Sequence, residues 1–265
     1  MVLKKNGSGD GRGGPRAILA LAILAILTLS QAPRAATAGE LATVGQSPVV
    51  IELFTSQGCS SCPPADRLVA ALARRPGVFA LTLPVDIWDY VGWKDTLATP
   101  QHTQRQRQYA KNRGDGRVYT PQASINGVAH VIGSDPEAIR KAAEECYGRE
   151  GAMRVPVAAM QTGATLRIDV GAAPAEAVGR AAVWLVRVAS TRQVQVRRGE
   201  NSGQTMEYVN VARSFERVGE WSGQPATFEA ALAPHRDADG WMVLLQTETQ
   251  QRPGVILGAV KSPGL

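Results

Sequence analysis

An apolar run, Val49 to Phe54, leads through four residues into Cys59-Ser60-Ser61-Cys62-Pro63-Pro64, and an amphipathic helical pattern follows from Ala65 to about Arg75. This order of buried strand, paired thiols and helix constrains the chain more than any other stretch. Proline is tolerated only in the first turn of a helix, where its missing N–H would have had no partner, so the two prolines place the helix start near Ser61 or Cys62. Leu68, Val69, Leu72 and Ala73 form the expected inward stripe, with Asp66, Arg67, Arg74 and Arg75 outward, and Pro76-Gly77 stops the helix.

Two cysteines at this spacing, at the mouth of a helix that follows a strand, have the context of a thiol–disulfide exchange pair. Unpaired N–H groups and the positive end of the helix dipole favour a thiolate in the first turn, and the thiolate is the attacking species. Cys59 is the candidate nucleophile. Cys62, about one turn in, is placed to resolve a mixed disulfide.

Residues 1–38 read as a secretory signal peptide: Lys4, Lys5, Arg12 and Arg16 precede the apolar run Ala17 to Leu29, and Ala36-Thr37-Ala38 offers a small-x-small cleavage site. The run is shorter than the roughly 20 residues of a membrane span, so membrane attachment is expected only where the segment stays uncleaved. A periplasmic or secreted location follows. The whole chain has 29 basic and 23 acidic residues, but five of the basic and one of the acidic lie in the leader, which leaves the remainder at +2. Without a strong basic excess or interleaved aromatic and basic residues, nucleic acid is not an expected partner. Three cysteines in an exported chain of this length are too few for a disulfide scaffold, which favours exchange over stapling for the tight pair.

Val78 to Asp86 reads as a second, central strand and implies a right-handed parallel unit with the first. Trp88-Asp89-Tyr90-Val91-Gly92-Trp93-Lys94-Asp95 is an aromatic loop that either lines a groove near the thiols or caps the core. Pro100 to Asn112 is a polar helix, Asn126-Gly127 marks a hairpin, and Pro136 to about Tyr147 is a closing helix with Ile139, Ala142, Ala143 and Cys146 inward. Cys146 is either a small buried apolar group or a third redox partner.

Residues 47–148 thus read strand, C-x-x-C helix, strand, helix, Thr-Pro, hairpin, helix, an order that resembles the thioredoxin fold. The resemblance narrows on three segments, 49–66, Gly92-Trp93-Lys94-Asp95 and Val118-Tyr119-Thr120-Pro121-Gln122, which are similar to an exported thioredoxin-like family known as domain of unknown function 1223. It implies that Pro121 is cis and packs beside the cysteines, that the Thr120 backbone pairs with an extended substrate segment, and that metal ions are kept from the thiols. Gly58 stands where ordinary thioredoxins carry Trp, and Ser60-Ser61 replaces their Gly-Pro, so the resemblance leaves the redox potential open. Thioredoxins also hold a buried carboxylate six residues before the first cysteine. Glu52 precedes Cys59 by seven, so it can serve as general base for the resolving thiol only if a bulge or register change turns it inward; otherwise it is a structural acid.

From Val155 on, the pattern changes to alternating strands: Thr165 to Val170, Ala181 to Ala189, Val194 to Arg197, Thr205 to Phe215, Ala226 to Leu232, Trp241 to Thr247 and Val255 to Val260. The expected architecture is an α/β thioredoxin-like domain over 47–150 followed by an all-β sandwich-like domain over 155–262. The glycine-rich turn Arg197-Arg198-Gly199-Glu200-Asn201-Ser202-Gly203 lacks the Gly-Lys-Ser/Thr ending of a P-loop, and no cofactor is expected. The expected function is thiol–disulfide exchange on a protein or small-molecule disulfide, with a redox partner protein, through Cys59 and Cys62 aided by Thr120, Pro121 and Glu52. Two alternatives stand beside it: a soft-metal module such as a Cu(I) site on the same thiols, which a third ligand such as Cys146, His102 or His130 would favour, and a binding protein with a vestigial redox site.

Overall fold

A computed structural model describes residues 47–174 and 180–265. The expected leader, residues 1–38, lies outside them. Among the described residues, no helix is long and apolar enough to cross a membrane.

Strand β1 (Val49–Thr55) is buried on both faces and pairs in parallel with β2 (Val78–Pro84), from Val49 opposite Val78 to Thr55 opposite Pro84. Between them runs α1 (Pro63–Ala73), with Pro63 and Pro64 opening its first turn. After a short 3₁₀ turn at Asp89–Val91 come α2 (Pro100–Arg113), β3 (Gln122–Ile125), β4 (Ala129–Ile132) and α3 (Pro136–Cys146). β1 pairs antiparallel with β3, and β3 forms a hairpin with β4. Period-2 alternation divides β1 between two cores. Val49, Ile51 and Leu53 pack with α1 and α3, whereas Val50 and Phe54 face Tyr109 of α2.

The Asn126-Gly127 turn does more than close this hairpin. The Asn126 side chain accepts from Val50 N–H at 2.7 Å, and Gly127, at φ +68°, lies against the carbonyl of Gly254, where a Cβ would stand 2.1 Å from that oxygen. Gly127→Ala is therefore expected to cost about 2–4 kcal/mol through left-handed strain and a backbone clash that no rotamer relieves. Urea unfolding measures that loss.

The second half is made of strands: β5 (Val157–Thr162), β6 (Thr165–Val170), β7 (Ala181–Gln195), β8 (Thr205–Trp221), β9 (Ala226–Ala231), β10 (Gly240–Thr249) and β11 (Arg252–Lys261). The expected strand at Val194 is the end of the long β7. The larger correction is that these strands pack in two layers but do not stand apart as a second domain. β8 pairs in parallel with β2 at Thr82 opposite Val211, giving one eight-stranded sheet in the order β11-β10-β7-β8-β2-β1-β3-β4. Thr82 Oγ1 donates to Val209 O at 2.6 Å and the Asn210 side chain to Ala80 O at 3.0 Å, reinforcing that short junction. β5, β6 and β9 form a separate three-stranded sheet, whose Leu166 and Ile168 share a core with Val183, Leu185, Val243 and Leu245 of the large one. The described residues belong to one compact unit. A sheet running through the expected boundary near residue 150 was not legible because strand patterning reports which faces are buried, and not which strand lies alongside.

Candidate active site

Cys59 and Cys62 are joined in a disulfide, with Cα atoms 5.4 Å apart. Cys62 is the N-cap of α1, and its carbonyl accepts from Ala65 and Asp66 N–H. Cys62 is fully buried, Cys59 is 4% exposed, and Ser60 and Ser61 face solvent. Cys59 Sγ lies 3.5 Å from the Ser61 hydroxyl. The positive end of the α1 dipole thus faces the pair, whereas the first-turn N–H groups do not: Pro63 and Pro64 carry none, and those of Ala65 and Asp66 are taken by the Cys62 carbonyl.

The aromatic loop is part of this site. The carbonyl of Trp88 and its Cβ lie against Gly58, where an added Cβ would stand 3.0 Å from Trp88 Cβ. The Trp88 indole donates to Thr120 Oγ1 at 2.7 Å and stacks on exposed Tyr90. The Thr120–Pro121 bond is cis. Trp88 therefore joins the residue before Cys59 to the Thr-Pro step. A side chain at Gly58 would press on Trp88 and Val91, which would have to give by a few tenths of an ångström to admit it. On the other flank, Trp93 donates to Gln57 Oε1 at 2.8 Å and Gln57 N–H donates to buried Asp95 at 2.8 Å. Asp95 also accepts from Leu97 and Ala98 N–H; burial raises its pKa and these three backbone donors oppose the rise.

Glu52 does not belong to the site. Its even position in β1 turns it to the α2 face, away from the helix that carries Cys62, and no bulge reverses this. Its oxygens accept from Arg105 Nε at 2.6 Å and from the Tyr109 hydroxyl, and Gln246 of β10 bonds both Arg105 and Tyr109. The carboxylate on the thiol side is Asp66, expected outward but in fact 6% exposed. It lies one helical turn beyond Cys62, on the same face of α1, and no hydrogen bond of 3.5 Å or less reaches either of its oxygens, the Thr55 hydroxyl interacting only loosely. Burial pushes its pKa up to about 7; the Thr55 hydroxyl lowers it, and the charge of Asp95 adds to the rise. The only sequence signal was an acid four residues after the second cysteine, and the surrounding arginines made a solvated face the simpler reading.

The family model described as a protein of unknown function, DUF1223, matches residues 50–246. The chain belongs to this family. A 38-residue stretch is 45% identical to a "Probable Thioredoxin" of Archaeoglobus fulgidus, covering 14% of this chain and 42% of that protein, so the chain spans less than half the length of this curated relative. The crystal structure of an Agrobacterium tumefaciens protein is similar with a TM-score of 0.73 at 34% identity, covering 83% of this chain and 96% of that one. The thioredoxin-like link of this DUF1223 protein and its α/β fold stand on these likenesses.

The three residues whose nearness would favour a metal reading in this DUF1223 protein are engaged elsewhere. Cys146, the last residue of α3, lies in the core that α3 shares with α1 and β1, its thiol raised by burial. Burial lowers His102 to about 4, and its Nδ1 bonds Pro84 O at 2.9 Å. His130 bonds Tyr119 at 2.8 Å and Asp115 at 3.0 Å. Among the described residues no group of three His, Cys, Asp or Glu side chains could hold a metal ion.

Proposed function

We propose that this chain is an exported thiol–disulfide oxidoreductase acting on protein or small-molecule disulfides. The observation that carries the reading is the Cys59–Cys62 disulfide at the first turn of α1 with a buried carboxyl that has no close hydrogen bond, Asp66, one turn below it. In the reduced protein the Cys59 thiolate attacks one sulfur of a substrate disulfide, forming a Cys59–substrate disulfide and expelling the other sulfur as thiolate. Asp66 takes the Cys62 proton; the Cys62 thiolate attacks Cys59 Sγ and releases the second substrate thiolate, which is protonated from solvent. The protein ends oxidised and the substrate reduced by two electrons, and a partner dithiol that reduces the Cys59–Cys62 disulfide, becoming a disulfide itself, runs the same steps in reverse.

Equilibration in glutathione buffers tests the reading. A two-electron midpoint between roughly −120 and −270 mV is expected; a pair still oxidised below about −300 mV is a structural disulfide and sinks it.

Asp66→Asn separates the proton acceptor from the scaffold. The exchange rate of the parent is expected to rise with a midpoint near pH 7, and the variant to lose that inflection and run about a hundredfold slower above it. Stability moves the other way. Because the native carboxyl holds its proton up to about pH 7 while the unfolded one releases it near 3.8, the parent loses stability as pH rises between these values, by up to about 4 kcal/mol. Above pH 7 the loss is complete and constant. Asp66→Asn removes this slope, so thermal unfolding of the variant between pH 4 and 8 should run flatter than that of the parent.

A further inference from the structure

The glycine-rich turn between β7 and β8 carries no motif, yet it sits on the cysteines. Asn201, 2% exposed, donates from Nδ2 to Gln57 O at 3.0 Å and to Cys59 O at 2.9 Å, while Gln204 donates to its Oδ1 at 3.3 Å. One buried amide of the second half thereby holds the backbone on both sides of Gly58. Gly199 packs on Trp93, with its Cβ position 3.2 Å from Trp93 Cβ. Next to Asn201, the Glu200 carboxylate accepts from Ser60 N–H at 3.3 Å. That N–H follows Cys59 directly, two residues ahead of the N-cap of α1, and so brings the carboxylate to the residue next to the attacking thiol.

We propose that the β7–β8 tip is a wall of the redox site, in which Asn201 anchors the Cys59 loop and thereby delivers the Glu200 carboxylate to Ser60, where it opposes ionisation of Cys59. This rests on the redox reading above and adds the residues that tune it; both act through the Cys59 loop and are positioning residues. The physical step is simple. A thiolate loses from a nearby negative charge, and Glu200 supplies one at the N–H next to Cys59, which it also occupies. Because a stabilised thiolate favours the reduced form, Glu200 biases the couple toward the disulfide. The other charges about the loop are Asp95 at Gln57 N–H with Asp89 behind it, Asp66 on α1 with Arg67 beside it, and exposed Arg197 and Arg198 on the tip itself. Of these, Glu200 alone is hydrogen-bonded within the Cys59–Cys62 loop.

The test compares the parent with Glu200→Gln, with Glu207→Gln, an exposed acid of β8, as the control for charge elsewhere. In the reaction of the disulfide with two glutathiones to give the dithiol and oxidised glutathione, Glu200→Gln is expected to raise the equilibrium constant about fivefold, or about 20 mV at 29.6 mV per tenfold. On protein fully reduced with dithiothreitol, the pH midpoint of Cys59 alkylation by iodoacetamide should fall by about half a unit, less at high salt. Asn201→Ala should shift both readouts in the same direction by releasing the tip, and adding Glu200→Gln to it should shift them little further. Glu207→Gln should move neither. An alkylation profile of Glu200→Gln that superimposes on the parent overturns the inference, whatever the glutathione titration gives. A parent with no midpoint in the glutathione range, but a shifted alkylation profile in Glu200→Gln, overturns the redox function and leaves the charge effect standing.

Discussion

Replacing Cys59 with serine is expected to abolish exchange, reducing the rate by on the order of a thousandfold or more, because a serine hydroxyl does not ionise in the range where a helix N-terminus can help it. Cys62→Ser should behave differently. It leaves the attacking thiolate and removes the group that resolves the mixed disulfide, so incubation with oxidised glutathione should accumulate a stable Cys59 adduct, seen as a mass increase of one glutathionyl group per chain. The two variants together assign the roles. An adduct on Cys59→Ser and none on Cys62→Ser would exchange them. Burial argues for the order given, since Cys59 keeps a small exposed area and Cys62 has none. Cys146→Ala should retain the full exchange rate of the parent, because Cys146 is a buried core side chain and takes no part in the Cys59–Cys62 pair.

The local parts of this molecule were readable from the sequence because each rests on residues within one turn or one strand. The double proline sets the start of α1, the Asn-Gly pair closes the β3–β4 hairpin, and Pro100 and Pro136 open α2 and α3. The Cys59–Cys62 pairing belongs to the same class. What the sequence did not show are relations between segments far apart in the chain. Thr82 beside Val211 fuses the two halves into one sheet, and Asn201 crosses 142 residues to reach the Cys59 carbonyl. Composition marked the second half as strands but carried no trace of either contact. Asp66 and Glu52 failed for a related reason. In a helix flanked by arginines an acid looks solvated, and in an apolar strand an acid looks like a site; only the packing of β8 over α1, and of α2 under β1, reverses both.

Glu52 and Arg105 offer the largest expected effect on stability and the clearest way to keep scaffold and site apart. The ion pair is buried, with side chains 0% and 10% exposed, and the guanidinium Nη2 donates to Tyr109 and Gln246. Glu52→Ala leaves a buried cation without its partner, which costs about 3–5 kcal/mol. For a protein of this size that lowers the melting temperature by about 10 °C or more. Glu52→Leu combined with Arg105→Met should recover much of the loss, because two apolar groups of similar volume carry no desolvation penalty. Both proteins, measured below their melting points, should keep the glutathione midpoint and the pH profile of the parent, since the network lies on the α2 face of the sheet and the disulfide on the α1 side. Asp66→Asn predicts the opposite pattern, a changed pH profile with no loss of stability above pH 7. A Glu52→Ala protein that lost the inflection near pH 7 would return the general-base role to Glu52 and take it from Asp66.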